Sequence, residues 1–262
     1  METHKGALSL LQDYGDNSSD EEVPFGRVST KRSYKEDEEN ESTKKLFLPS
    51  IISTKEIDNH LDDPSIHDGR IRSFPHERDS WATYVYISCE PNEGIQHIIK
   101  LIDEHIPDIK STSDFHISLT KVVVLRYHWI ESFVTTLKDN LGLMKRFLIM
   151  FDSLKVYCNE DRTRTFIGFV VKTGYDTLAK LVEILDKCLN EFRLPKFYEE
   201  KRFHMSIAWC LGDQEENIKQ ILPELNDQLL SVMSDYPEDY WYIIVDRLEC
   251  KIGNKYFSFG TS

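Results

Sequence analysis

No two cysteines in this chain stand in a C-x-x-C spacing, and the five present (Cys89, Cys158, Cys188, Cys210, Cys250) are odd in number and scattered. That pattern excludes a disulfide framework or a cysteine-bound zinc and reads as reduced thiols of an intracellular protein. Long apolar runs are missing too. The N-terminus offers only Ala7-Leu8-Ser9-Leu10-Leu11, too short for a secretory signal, and no run reaches the length of a membrane span. Positive charge is the third scarcity: 32 Lys and Arg against 45 Asp and Glu leave a net −13. A general nucleic-acid coater is basic, so any polyanion handled here is gripped at a local site and not by a global field. The acidic N-terminus does not account for this balance, since residues 1–45 carry −4 and the remainder −9.

What is present falls into three parts. Residues 1–45 are rich in Ser, Asp, Glu and Lys with few apolar residues after Leu11. Such a segment cannot bury enough surface to offset its ordering entropy and is expected to be disordered. Residues 46–67 read as a linker, and 68–262 as the folded domain. Within it, apolar periodicity predicts strands over 81–88, 115–120, 122–125, 147–157, 165–171, 203–209, 240–245 and 256–259. Helices are expected over 94–107, 128–141, 175–192 and 214–233, the last bent or interrupted at Pro223. Turns are expected at Asn159-Glu160-Asp161 and at Gly253-Asn254. The order suggests an α+β fold of two similar lobes, antiparallel strands flanked by helices.

Two stretches carry the chemistry: Phe115-His116-Ile117-Ser118-Leu119-Thr120 and Phe203-His204-Met205-Ser206-Ile207-Ala208-Trp209. A bare His-x-Ser is weak, because nine histidines give such a pair by accident. Here both copies begin with Phe-His and ride on apolar alternation of the same phase. In a strand, residues i and i+2 share a face. His116, Ser118 and Thr120 are therefore expected on one face, with Phe115, Ile117 and Leu119 on the other. His204 and Ser206 repeat the arrangement, with Phe203, Met205, Ile207 and Trp209 on the apolar side. If the two strands meet in a central cleft, two imidazoles and two hydroxyls converge. The competing reading is two half-buried strands, each with an incidental histidine on its wet face.

Two imidazoles permit acid–base catalysis near neutral pH, one ring accepting a proton while the other donates. The serine hydroxyls can stabilise charge growing on phosphate oxygens. On RNA the adjacent 2′-hydroxyl is a built-in nucleophile, so this set suffices to cut the chain and leave a 2′,3′-cyclic phosphate. No cofactor or metal is expected, since two histidines are too few ligands and serine is a poor third. Candidate local cations are Lys121, Arg126, Lys201 and Arg202, each of which is also readable as a solvated strand end. Tyr198 is either an aromatic platform for a base or a loop tyrosine packed on Pro195.

The paired motifs resemble the 2H phosphoesterase superfamily. The flanking text is similar to its U6 small nuclear RNA 3′-end phosphodiesterase family, in blocks covering about residues 68–260. These are Arg70–Arg78, His116–Leu119 running on to Val124–Ile130, Thr163–Gly168, Phe203–Trp209 and Ile252–Lys255. Asp79 stands where that family has a glycine and Tyr84 where it has a histidine, which bears on local packing. The resemblance implies a nuclear, metal-independent 3′-to-5′ exoribonuclease. It would trim uridines from the single-stranded U6 3′ end and leave a terminal cyclic phosphate. His116, Ser118, His204 and Ser206 carry over as catalytic. Tyr198 matches a tyrosine that stacks on the terminal base, and Thr120 joins it as substrate-binding. A monomer without membrane attachment is expected. His204 as base and His116 as acid is the preferred order, although the two motifs look alike. Alternatives are another 2H activity, on a cyclic phosphate or a 2′,5′ linkage, and a non-catalytic RNA-binding or scaffold protein.

Overall fold

The computed structural model describes residues 77–142 and 144–260, together with Ser65, Asp68, Gly69 and Phe74. The segment 1–45, nearly all of the linker 46–67 and most of the Arg70–Arg78 block lie outside the described residues. In chain order the elements are β1 (Ser80–Ser88), α1 (Glu93–His105), β2 (Lys110–Ser111), β3 (His116–Ser118), β4 (Val123–Arg126) and α2 (Ile130–Leu141). There follow β5 (Phe147–Cys158), β6 (Arg164–Thr173), α3 (Tyr175–Glu191), β7 (His204–Leu211) and α4 (Glu215–Asp235). The chain ends in β8 (Tyr242–Val245), β9 (Arg247–Ile252) and β10 (Lys255–Gly260).

All ten strands belong to one antiparallel sheet in the order β10-β9-β1-β3-β7-β6-β5-β8, with β4 also paired to β1 and β2 to β7. The α+β class is as expected, and the two lobes share a single hydrogen-bonded sheet. They join where β3 lies against β7, Ile117 opposite Met205. The apolar face of these strands supplies Val85, Ile87, Phe115, Ile117, Leu119, Met205, Ile207, Ile167 and Phe169 to the core, all buried. Helix α1 adds Ile95, Ile98 and Ile102, and α3 adds Leu178, Leu181, Leu185 and Leu189. That spacing is the amphipathic stripe read from the sequence. Helix α1 packs on α4 and β7, α4 on β5, and α2 on α3.

Four features depart from the sequence reading. Helix α4 runs on through Pro223 without interruption, although the proline removes the amide that would have bonded the carbonyl of Lys219 and crowds that carbonyl. Strand β9 was not expected, because Glu249 and Lys251 interrupt its apolar residues. The short β2 likewise lacks an apolar signal. The most consequential departure lies in β7. Ile167 pairs with Ala208 but Gly168 with Ser206, so Ile207 is the extra residue of a β-bulge. Beyond it the alternation reverses: Ile207 and Ala208 are both buried, and Trp209 turns to the face of His204 instead of the core. Asp79 adopts φ +61°, a left-handed conformation that explains why a glycine suits this position and why a short polar residue can replace it.

Strand β3 is three residues long, and its exit is pinned to β1. The Leu119 amide donates to the Val85 carbonyl at 2.9 Å. The Val85 amide in turn donates to Thr120 Oγ1 at 2.9 Å. Thr120 is 3% exposed, so its hydroxyl serves the backbone rather than the histidine face. Thr120→Val leaves the Val85 amide buried without an acceptor and is expected to cost about 1–3 kcal/mol, measured by urea unfolding.

Candidate active site

The register of β3 against β7 sets the geometry. With Ile117 opposite Met205, antiparallel pairing puts His116 across from Ser206 and Ser118 across from His204. Directly opposed side chains start about 5 Å apart and diagonal ones about 7–8 Å. Each histidine thus faces the other motif's serine, and the two rings stand on the diagonal with a gap between them. His116, Ser118, His204 and Ser206 are all partly exposed while the alternate residues are buried. The structure therefore brings together the four residues that the sequence singled out.

Both rings are held the same way. His116 Nδ1 lies 3.0 Å from the carbonyl oxygen of Asp114, and His204 Nδ1 lies 2.6 Å from that of Arg202. A carbonyl only accepts, so each Nδ1 carries the proton and each Nε2 is left for proton exchange.

Beyond this shared device the two differ. Asp114 sets a carboxylate oxygen 3.8 Å from His116 Nδ1. Its other oxygen is buried with no hydrogen-bond partner among the described residues. His204 has no such carboxylate beside it among the described residues. Its ring stacks on Tyr157, centroids 3.7 Å apart and planes at 12°. Burial holds its pKa below the ordinary histidine value against the opposing pull of the Arg202 carbonyl, and the nearby His116 charge lowers it further. Burial also pushes the Tyr157 hydroxyl up to about 12, so the stacking partner is a neutral phenol. The environments of the two imidazoles differ, and that of His204 favours the neutral ring that accepts a proton.

Several contributors were not legible beforehand. Gly168 lies on β6 opposite Ser206, and a Cβ there would sit 2.8 Å from the Met205 carbonyl oxygen and 3.2 Å from His204 Cδ2. The missing side chain lets the His204 ring lean across β6 onto Tyr157. Tyr86 and Tyr84 flank His116, with ring centroids 5.6 and 6.1 Å from it. The Tyr86 hydroxyl donates to Glu249 at 3.0 Å. Lys251, opposite Tyr84 in β9, is 4% exposed with its ammonium 5.2 Å from the Tyr256 ring. Register alone could have found these residues, since all sit on the histidine face once β1, β3 and β9 are aligned.

Tyr198 is 43% exposed, with the Lys121 ammonium 4.1 Å from its ring centroid. Its neighbour Phe197 packs on Tyr198 and on Phe203, the residue before β7. These contacts place it at the His204–Ser118 end of the strand pair. The four candidate cations all have carboxylate neighbours: Lys121 with Glu160, Arg126 with Glu77, Lys201 with Glu183 and Arg202 with Glu200. Exposed pairs of this kind are worth about 0–1 kcal/mol and exchange readily. No group of three or more His, Cys, Asp or Glu able to hold a metal ion occurs among the described residues.

Two His-x-Ser strands side by side, with both hydroxyls and both imidazoles on one face, are the arrangement expected from the resemblance to 2H phosphoesterases. The family described as "HVSL: Uncharacterised conserved protein" matches residues 47–260. "U6 snRNA phosphodiesterase 1" of Xenopus laevis is 42% identical over 212 residues, 79% of this chain and 84% of that protein. The proteins of the same name from Homo sapiens and Drosophila melanogaster are 38% and 30% identical, covering 75% and 90% of this chain and 76% and 98% of their own lengths. Among solved structures, Kluyveromyces marxianus Usb1 aligns over 71% of this chain and 100% of its own, at 11% identity and a TM-score of 0.49. The chain belongs to the U6 snRNA phosphodiesterase family.

Two outcomes test this geometry. Gly168→Ala is expected to displace the His204 ring and lower kcat by about 10²-fold, as misplacement of a catalytic group by an ångström does, with folding checked by thermal melting. Tyr157→Ala admits water to His204 and raises its pKa toward the ordinary value. The acid-side limb of the kcat/KM profile, where His204 must lose its proton, then moves to higher pH.

Proposed function

We propose that this protein is a 3′-to-5′ RNA exonuclease that trims the uridine tail of U6 small nuclear RNA in the nucleus. Its nucleophile is the 2′-hydroxyl of the nucleotide preceding the scissile bond. The names of its relatives support the substrate, and the diagonal pair of imidazoles, each with a serine opposite, carries the mechanism. His204 Nε2 takes the proton of the 2′-hydroxyl, whose oxygen attacks phosphorus. The bond from phosphorus to the 5′-oxygen of the departing unit breaks, and His116 Nε2 gives that oxygen its proton. The shortened RNA ends in a 2′,3′-cyclic phosphate. Ser118 and Ser206 donate to the non-bridging oxygens, and Tyr198 stacks the terminal base. No step calls for a metal ion, and the protein acts as a monomer. Residues 68–262 form the catalytic domain and residues 1–45 a dispensable tail.

The test is an end-labelled oligouridine incubated with the protein in EDTA, followed by end-group analysis. Stepwise shortening with cyclic phosphate ends is expected. His204→Ala and His116→Ala each lower the rate by about 10² to 10⁴-fold, and a 2′-deoxy substitution before the scissile bond blocks it. Activity that needs added Mg²⁺, or cleavage of the deoxy substrate, rules the mechanism out. Deleting residues 1–45 is expected to leave trimming of short oligouridine intact.

A further inference from the structure

The bulge at Ile207 has a chemical consequence on the histidine face. It turns Trp209 onto that face beyond Ser206, where the register aligns Lys110 of β2, Trp209 of β7 and Phe166 of β6 in one row. Both rings are half-buried, neither sealed in the core nor fully in water. Each has a cation beside it. The Lys110 ammonium is 5.4 Å from the Trp209 centroid, and the Arg164 guanidinium is 5.6 Å from that of Phe166. Lys110 also pairs with Asp68 at 3.0 Å. Bulges beside active sites commonly serve to re-aim a side chain. Aromatic rings interleaved with cations are the surface on which unpaired bases stack, while the cations answer the phosphates.

The row lies at the opposite end of the strand pair from Tyr198. Along the pair come first Tyr198 with Lys121, then Ser118 with His204, then His116 with Ser206, and then Trp209. Across the bulge, Ser206 and Trp209 stand opposite Gly168 and Phe166, two residues apart on β6, or about 7 Å, within the reach of one nucleotide. We propose that Trp209, supported by Phe166, Lys110 and Arg164, is a second base-stacking subsite, which receives the nucleotide on the His116–Ser206 side of the scissile phosphate. The two platforms then grip one base on each side of the reacting bond, and the acid–base pair works on a phosphodiester held from both ends. Stacking is tolerant of base identity, so this subsite supplies affinity and alignment and leaves base choice to other contacts.

The inference rests on the RNA reading of the site, and its test separates the two. Oligouridines with a single abasic nucleotide on one or the other side of the scissile bond are trimmed by the wild type and by the Trp209→Leu, Trp209→Phe and Tyr198→Ala proteins. Trp209→Leu is expected to raise KM by about tenfold with kcat within about threefold, while Trp209→Phe, which keeps a ring, stays close to wild type. An abasic nucleotide on the His116 side raises the wild-type KM to the same extent and adds nothing in Trp209→Leu. The nucleotide on the other side shows that coupling with Tyr198→Ala instead. Equal melting temperatures establish that the variants fold; should Trp209→Leu not fold, Phe166→Leu is put through the same cycle. Coupling of Trp209 to neither base, or to the base that couples to Tyr198, overturns the subsite. Failure of the wild type to trim any oligouridine overturns the RNA reading itself.

Discussion

Everything at the site depends on one pairing, Ile117 of β3 against Met205 of β7. A slip of one residue in a sheet sends every side chain to the other face. Here it would bury two histidines and expose Ile117 and Met205, both fully buried. The cost of that exchange is what fixes the register, and the register is what sets His116 and His204 on a diagonal with a serine opposite each. The core and the chemistry are therefore one constraint seen from the two faces of the same strands. The short β3 can bear it because Leu119 and Thr120 tie its exit to Val85.

The two halves contribute similar strands but unlike surroundings. Asp114 places a negative charge beside His116, whereas Tyr157 and the close approach over Gly168 enclose His204. The same residue type thus meets two environments, and burial favours the neutral form at His204. The net charge of −13 fits this scheme. The lysines and arginines beside the two motifs are held by carboxylates in exposed pairs that an anion can displace.

Much of the fold was legible in the sequence, because the helices carry clean apolar stripes and the motif strands alternate without interruption. The four histidines and serines of the candidate site were legible for the same reason, the motif and the alternation giving the face together. What was hidden follows from residues whose meaning lies in a neighbour. Glu249 and Lys251 look like loop charges until β9 is paired with β1. Gly168 looks like any strand glycine until His204 lies over it. Trp209 follows the apolar phase on paper, and only the pairing of β6 with β7 reveals that Ile207 is one residue too many. Tyr157 stands forty-seven residues before His204, a separation that no local pattern can bridge.

Each catalytic ring is anchored to a main-chain carbonyl two residues upstream in its own strand entry. The position of the imidazole proton is thus written in the backbone of each motif and borrowed from no other side chain. A substitution elsewhere can alter how crowded or how charged a ring is, while the carbonyl facing each Nδ1 stays with the motif's own backbone. Such a site tolerates drift in its lining while the reactive nitrogens stay the same. Each half arrives at the sheet with its catalyst already set, and joining the halves is the only assembly step that remains.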